Sequence, residues 1–400
     1  MLSRRSLLRA ATAGALTAPG WLPGTATTSP HPSAPATCEL ALENRSGGTL
    51  RAYVTGREFG TGRWVLLRAD SSVYHLTEPP APLTPLPVDC AIPVGSSTVL
   101  TLPRMFGARI YFVRDDTLQF YVNPGPALVE PAFATPADPN FSKTWSFCEF
   151  TFNDVQLFAN ISYVDLVTAL PIGLTLVGDG THTVAALPDG AVGRIADELA
   201  AQAGRDGQPW DDLIIRDGGQ VLRIISPQNL MAPHFDQPNM PFRGYWEGYV
   251  DQVWNHYRGN DLRVDVQGGG GVYTGRVVGD VLEFNGGHRF GRPSSKDVFT
   301  CNHGPFTNNP SDPDPKKGIL ARLAAAFNRS TIHSVPDQPN GATAADYYGH
   351  QVTNHWARAV HAHAPIGYAF PYDDVRPDGQ PDQSGAAHDG NPRRFTVHAG

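Results

Sequence analysis

The segment Trp145–Phe152 restricts the fold of this chain more than any other stretch of the sequence. Polar and aromatic residues alternate along it, and the side chains at positions i and i+2 of a strand lie on the same face. Glu149, Thr151 and Asn153 would therefore point to one face, and the residues between them to the other. The pattern predicts a strand with an aromatic side in the core and a polar side that forms an open wall.

A second alternating segment, Ile161–Val167, follows after a short polar connection. We interpret it as another strand, on which Tyr163, Asp165 and Val167 share a face. If the two strands are near neighbours, Asp165 lines the same wall as Glu149. Two carboxylates in one cleft are the minimum for cleavage of a glycosidic bond. A buried salt bridge is the competing interpretation, because a carboxylate among aromatic residues must be paired to offset its desolvation.

The rest of the chain is rich in turns, with 41 Gly and 36 Pro among 400 residues and no internal repeat. Short strand-like segments follow one another up to about residue 125, which predicts a sandwich or barrel. After about residue 186, apolar residues at helical spacing alternate with strands, which predicts a mixed α/β region. Helices are expected at Gly190–Ala203, Phe242–Tyr257, Ile319–Asn328 and Ala345–His363.

The amino terminus has the order of features of an export signal. Arg4 and Arg5 precede a weakly apolar run of small residues, and Ala34-Pro35-Ala36 fits a cleavage site. We therefore interpret residues 1–36 as a twin-arginine export signal and linker, and expect a secreted protein. No run of eighteen apolar residues follows, so no membrane anchor is expected. The net charge of −7 gives no electrostatic reason to expect nucleic acid as a partner.

Cysteines and histidines do not indicate a metal site. The spacing of the four cysteines matches no zinc pattern, and in an exported protein they could form two disulfides in three possible pairings, or none. His361 and His363 are two positions apart on an expected helix and would not face each other. The four cysteines are Cys38, Cys90, Cys148 and Cys301.

Two motifs at the centre of the chain resemble a known enzyme family. Glu149-Phe150-Thr151-Phe152-Asn153, followed by Ser162-Tyr163-Val164-Asp165, is similar to glycoside hydrolase family 64, the β-1,3-glucanases that release laminaripentaose. The likeness spans most of the chain, and its last segment also resembles the closing region of thaumatin-like proteins. Further similar segments are Pro103–Met105, Arg109–Phe112, Phe299–Asn302, Gly304–Phe306 and Tyr368–Val375.

The resemblance implies a mainly β protein with an α/β part. A thaumatin-like β-barrel or sandwich domain would cover residues 37–185 and be completed by residues 365–400. A mixed α/β domain would cover residues 186–364, and a wide cleft would lie between the two. The dense disulfide pattern of plant thaumatin-like proteins is missing from this sequence.

The resemblance also implies an inverting hydrolysis of β-1,3-glucan, with Glu149 as general acid and Asp165 as general base. Inversion requires carboxyl groups about 6.5–9.5 Å apart. No metal or organic cofactor is needed, and a monomer is expected. The alternatives are a non-catalytic glucan-binding thaumatin-like module and an antifungal or cell-surface protein that binds a protein partner. The implied sugar-binding residues are Thr151, Asn153, Phe158 and Tyr163.

Overall fold

The computed structural model describes residues 33–380 and 384–400. Most of the expected export signal lies outside these residues. The described chain is mainly β, as expected, and its strands form five sheets. Within these ranges, no helix combines the length and apolar character needed to cross a bilayer.

The first twelve strands lie before residue 161. They are β1 Thr37–Asn44, β2 Leu50–Glu58, β3 Trp64–Leu67, β4 Val73–His75, β5 Thr84–Pro85, β6 Ile92–Val94, β7 Thr98–Pro103, β8 Met105–Arg114, β9 Tyr121–Asn123, β10 Ala127–Val129, β11 Trp145–Phe152 and β12 Leu157–Asn160.

The later strands are interspersed with helices. The strands are β13 Leu166–Thr168, β14 Ile172–Val177, β15 Thr181–Val184, β16 Ile214–Asp217, β17 Gln220–Ile225, β18 Leu262–Asp265, β19 Val272–Val278, β20 Val281–Phe284, β21 Arg289–Gly291, β22 Asp337–Gln338, β23 Ala386–Asp389 and β24 Arg394–Ala399. The α-helices are α1 Ala191–Asp206, α2 Pro227–Met231, α3 Glu247–His256, α4 Ser295–Thr300, α5 Asp314–Asn328 and α6 His355–His363. Short 3₁₀ turns lie at Asp211–Leu213, Ala232–His234, Asn285–Gly287, Gly304–Phe306 and Ala344–Asp346.

Two large sheets pack against each other and enclose the first part of the core. One has the strand order β15-β14-β24-β1-β7, and the other β23-β12-β11-β8-β2-β3-β4, with β6 beside β2. The aromatic side of β11 faces the partner sheet, because the rings of Phe150 and Phe395 lie 6.0 Å apart. The opposite side of β11 is thereby left for the polar wall.

The carboxyl-terminal strands lie within these same two sheets. β24 pairs in parallel with β1 and antiparallel with β14. β23 pairs with β12 at the edge of the second sheet. The remaining sheets are two of three strands, with the orders β10-β9-β5 and β13-β17-β16, and one of five strands, with the order β21-β20-β19-β18-β22.

The expected strand over Ile161–Val167 is wrong. β11 instead forms a hairpin with β12, and the chain after β12 leaves the sheet. Its backbone is held by residues far along the sequence, since the N–H of Tyr163 donates to the carbonyl of Tyr368 over 2.7 Å. Asp165 lies in a bend immediately before the short strand β13. Alternation alone could not reveal these long-range backbone partners.

Two of the expected helices are shorter than their apolar spacing suggested. Phe242 and Gly244 have φ angles of 56° and 81°, and such left-handed backbone cannot continue an α-helix, so α3 begins only at Glu247. In the last helical segment Tyr348 has a φ of 60°, and α6 begins at His355, capped by the Asn354 side chain. The four cysteines are buried, and none of them forms a disulfide.

Candidate active site

The exposed side of β11 becomes progressively more open along the strand. Its burial alternates as the sequence predicted, with Cys148, Phe150 and Phe152 buried on the core side. On the other side Trp145 is buried, whereas Glu149 and Thr151 are only half-buried. The carboxyl group of Glu149 therefore lies where a buried aromatic surface meets an open wall.

Strand pairing sets the neighbours of Glu149 on this wall. Residues directly opposite in an antiparallel pair share a face. Arg109 of β8 lies opposite Glu149 on one side, and Asn160 of β12 lies opposite it on the other. Thr55 of β2 lies opposite Arg109. These four polar side chains form a row across the sheet.

Arg109 joins Glu149 to a second carboxylate, Glu130, which follows β10. The Nε and Nη2 atoms of Arg109 donate to Oε1 of Glu149 over 3.1 and 3.0 Å. Its Nη1 atom donates to Oε2 of Glu130 over 3.1 Å. The guanidinium stacks on the ring of Phe147 with 4.7 Å between its central carbon and the ring centroid. Both bonds to Glu149 end on one oxygen, so Arg109 does not occupy the other.

The surroundings of Glu149 favour its protonated form. Burial is the largest effect and raises its pKa, Arg109 opposes this rise, and the charges of Asp165 and Glu130 add to it. The net effect is a raised pKa. The influence of Asp165 also means that the two predicted catalytic carboxylates are close enough for their charges to interact. A raised pKa lets a carboxyl group keep its proton to a higher pH, which is what a general acid requires.

Asp165 is held by the segment that precedes and begins α2. Leu166 of β13 pairs with Ile225 of β17, so Asp165 lies beside Ser226. The N–H of Ser226 donates to the Asp165 carbonyl over 2.8 Å.

The Asp165 carboxylate accepts hydrogen bonds from two side-chain amides. Nδ2 of Asn229 donates to Oδ1 of Asp165 over 2.9 Å, and Nε2 of Gln228 reaches the same oxygen at 3.5 Å. Neutral donors orient this carboxylate without adding a positive charge beside it, which suits a general base.

Two buried amide oxygens near these carboxylates have no hydrogen-bond partner among the described residues. They are Oδ1 of Asn160, on the residue opposite Glu149, and Oε1 of Gln228, on the residue beside Asp165. Buried polar atoms are almost always paired with protein or ordered water. Both oxygens are therefore acceptors that a sugar hydroxyl or a water molecule can satisfy.

The other predicted sugar-binding residues have different environments. Thr151 and Phe158 are half-buried, lie opposite each other on β11 and β12, and belong to the wall. Asn153 is in the hairpin turn, where its Oδ1 accepts the N–H groups of Val155 and Gln156 over 2.8 and 2.9 Å. The side-chain oxygen of Asn153 thus holds the turn in place.

Tyr163 is only 5% exposed, which limits its surface for stacking on a sugar. It packs closely against Gly367, where an added Cβ would lie 2.5 Å from Cε2 of the Tyr163 ring. Its side chain thus supports the backbone segment that approaches the site from the carboxyl-terminal region.

Sequence reasoning missed Glu130, Asn160, Gln228 and Asn229 as site residues. Asn160 could have been found from the hairpin, because a tight turn after Phe152 places it opposite Glu149. No local pattern connects residue 130 with residue 109, or residues 228 and 229 with residue 165. These neighbours depend on how separate sheets pack.

A carboxyl group with a raised pKa on the open face of a β-sheet, together with a second carboxylate whose charge reaches it, is the equipment of an acid–base hydrolase. Comparison with known proteins identifies the chain more closely. Residues 36–399 match the β-1,3-glucanase family, glycoside hydrolase family 64. The chain belongs to this family and is a glycoside hydrolase.

Characterised relatives support this assignment over nearly the whole chain. A glucan endo-1,3-β-glucosidase of Cellulosimicrobium cellulans is 30% identical over 414 aligned residues, which cover 98% of this chain and 70% of that protein. A laminaripentaose-producing β-1,3-glucanase crystallised with laminaritetraose is 33% identical, with a TM-score of 0.78 and coverage of 91% of this chain and 99% of that one. A β-1,3-glucanase domain of Clostridium beijerinckii is 23% identical, with a TM-score of 0.69 and coverage of 91% and 98%, and shows a shared fold.

Proposed function

We propose that this protein is an endo-acting β-1,3-glucanase that inverts the anomeric carbon, with Glu149 as general acid and Asp165 as general base. The observation that carries the proposal is the environment of Glu149, where burial and the Asp165 charge raise its pKa. The similarity to a laminaripentaose-producing enzyme supports laminaripentaose as the main product.

In the proposed reaction the glucan lies along the open side of β11. Glu149 donates its proton to the glycosidic oxygen as the bond from that oxygen to the anomeric carbon breaks. A water molecule attacks the anomeric carbon from the opposite side and gives its proton to Asp165. The new carbon–oxygen bond has the α configuration, and exchange with solvent returns both carboxyl groups to their starting states.

The remaining wall residues would hold the sugar. Phe158 offers a half-buried ring beside Thr151, and the ring of an aromatic residue can stack on a pyranose face. The unpartnered oxygen of Asn160 can accept a sugar hydroxyl, and that of Gln228 can accept the attacking water. No metal or organic cofactor takes part in these steps.

We propose further that residues 37–185 and 365–400 form a thaumatin-like domain, that residues 186–364 form a mixed α/β domain, and that the glucan lies between them. The order of residues 1–36, with Arg4 and Arg5 before an apolar run, supports export by the twin-arginine route. The mature protein would then act outside the cell as a monomer.

Hydrolysis of curdlan and laminarin by the purified protein, with chromatography of the products, tests the function. The wild type should release laminari-oligosaccharides. Glu149→Gln and Asp165→Asn should each lower kcat by about 10²–10⁴-fold, because each loses one proton-transfer step. Binding of laminarihexaose by both variants, measured by calorimetry, shows that the site is still folded.

Proton NMR during hydrolysis tests the stereochemistry. The α-anomer should appear first, and an initial β-anomer would contradict inversion. Glucan binding without any product release by the wild type would instead support the non-catalytic glucan-binding alternative. Undiminished release by Glu149→Gln would remove Glu149 from the mechanism.

A further inference from the structure

Arg109 lies between two carboxylates, Glu130 and Glu149. Its side chain is 15% exposed, and those of Glu130 and Glu149 are 22% and 24% exposed. One edge of the guanidinium bonds to Glu149, and Nη1 bonds to Glu130. A single positive charge is thus shared by two negative partners.

Glu130 is fixed in this position by more than Arg109. The hydroxyl of Thr55 donates to its Oε1 over 3.3 Å. The Tyr111 hydroxyl also bonds to the Glu130 carboxylate, and it accepts from Nη1 of Arg109 over 3.2 Å. Three donors from β2 and β8 therefore converge on Glu130, and a carboxylate that only accepts matches this set of donors.

We propose that Glu130 is a positioning residue for the hydrolysis, which holds Arg109 and balances its charge so that Glu149 retains the proton it donates. The inference rests on the proposed role of Glu149 as general acid. Glu130 does not contact the reacting atoms in this scheme. It acts by holding Arg109 and through its own charge, which also raises the pKa of Glu149.

The charges of the cluster explain why a second carboxylate is needed. With Glu130 ionised and Glu149 protonated, the group of Arg109, Glu130 and Glu149 is neutral. Without Glu130, neutrality would require an ionised Glu149, and protonation would leave an unpaired cation in a largely buried site. Asp165, which lies just before β13, adds a negative charge that also favours the protonated form of Glu149.

The test is the pH dependence of kcat for Glu130→Gln on laminarin. The amide keeps the shape of Glu130 and an acceptor for Arg109 but removes the charge, so Arg109 acts on Glu149 alone. The alkaline limb of the profile, where a general acid loses its proton, should move down by about 1 pH unit. On that limb kcat should fall about tenfold, while KM stays close to the wild-type value.

Two substrates separate a proton-donation defect from a general loss of structure. A dinitrophenyl β-laminarioligoside has a leaving group that needs no protonation, so Glu130→Gln should hydrolyse it at nearly the wild-type rate. An equal loss on both substrates would overturn the inference, because it would indicate damage to the site as a whole.

Two further variants serve as controls. Glu130→Asp keeps the charge and should retain the alkaline limb of the wild type. Glu283→Gln removes the same charge from an exposed pair with Arg289 on β20 and β21, and should leave the whole profile unchanged.

The outcomes distinguish this inference from the proposed function. An unmoved alkaline limb in Glu130→Gln, with Glu149→Gln inactive on laminarin, rejects the role of Glu130 and keeps Glu149 as the acid. Undiminished activity of Glu149→Gln on laminarin rejects Glu149 as the general acid, and with it the proposed mechanism.

Discussion

Two largely buried arginines of this protein lie in ionic clusters of opposite design. Arg109, on the open wall of the large sheet, contacts two carboxylates, Glu149 and Glu130. Arg329, in the mixed α/β region, contacts one carboxylate, Asp373, which is completely buried. The pKa of Glu149 is raised and that of Asp373 is lowered. Glu149 shares one cation with a second carboxylate, whereas Asp373 has the charge of Arg329 to itself, and the pKa values of the two carboxyl groups shift in opposite directions.

Both oxygens of the Asp373 carboxylate accept hydrogen bonds. Nη2 of Arg329 donates to Oδ1 over 2.9 Å, and the backbone N–H of Ala369 donates to Oδ2 over 2.8 Å. Nε2 of His361 lies 2.8 Å from Oδ2. Burial opposes ionisation of Asp373, but these partners outweigh it and hold its pKa below the ordinary value. The structure thus places Asp373 in a buried ion pair with Arg329.

The largest expected effect on stability is the loss of this buried pair. Asp373→Asn leaves the Arg329 guanidinium, only 5% exposed, without its counter-charge. The free energy of unfolding should fall by about 3–5 kcal/mol, because a buried ion is left unpaired. Urea denaturation measures the change. The kcat of the folded variant on laminarin should stay close to that of the wild type.

Asp337→Asn is the matched control for this substitution. It removes an aspartate that pairs with Arg263 in an exposed position, with side chains 52% and 58% exposed. Exposed pairs contribute about 0–1 kcal/mol, so this variant should be nearly as stable as the wild type. Equal losses in the two aspartate variants would show that burial does not distinguish the Asp373 cluster.

A smaller effect is the pH dependence of the stability difference between the wild type and Asp373→Asn, and its sign can be worked out. Because the pKa of Asp373 is lowered in the folded chain, its stabilisation is present above the ordinary value of 3.8 and is lost as the pH falls through the folded pKa. The difference in unfolding free energy between wild type and Asp373→Asn should therefore be constant near neutral pH and shrink below pH 3.8. Urea denaturation from pH 7 to pH 3 checks this, and a difference that grows on acidification would contradict it.

The Arg109 and Arg329 clusters also show what could be predicted from the sequence and what could not. β11 and the burial of its aromatic side followed directly from alternation, because a strand with one face in the core must alternate. Glu149 and Asp165 were both singled out by alternation, and the family likeness gave them the roles of acid and base. The ionic partners could not be predicted in either cluster, since Arg109 meets Glu130 and Arg329 meets Asp373 only after separate segments pack together.

The position of Asp165 shows the limit of periodicity in a different way. Tyr163, Asp165 and Val167 are two positions apart, as on one face of a strand, yet the chain bends at Val164 and Asp165. The backbone hydrogen bonds of this stretch go to Tyr368 and Ser226 rather than to β11. A local pattern reports which side chains are buried, but it does not report which backbone supplies the hydrogen bonds.

The smallest expected effect is a gain in stability at the active site. The raised pKa of Glu149 means that the folded chain holds this proton more tightly than the unfolded chain does. Stability from this group is thus fully present below the ordinary value of 4.5 and is lost as the pH rises through the folded pKa. Gln carries no such proton, so at pH 7 Glu149→Gln should be more stable than the wild type by about 0.5–2 kcal/mol while losing activity. The two proteins should be equally stable at about pH 4, where the carboxyl group is largely protonated in both states. Urea denaturation at both pH values tests this, and a Glu149→Gln variant less stable than the wild type at pH 7 would place Glu149 with Asp373 among the structural ion pairs.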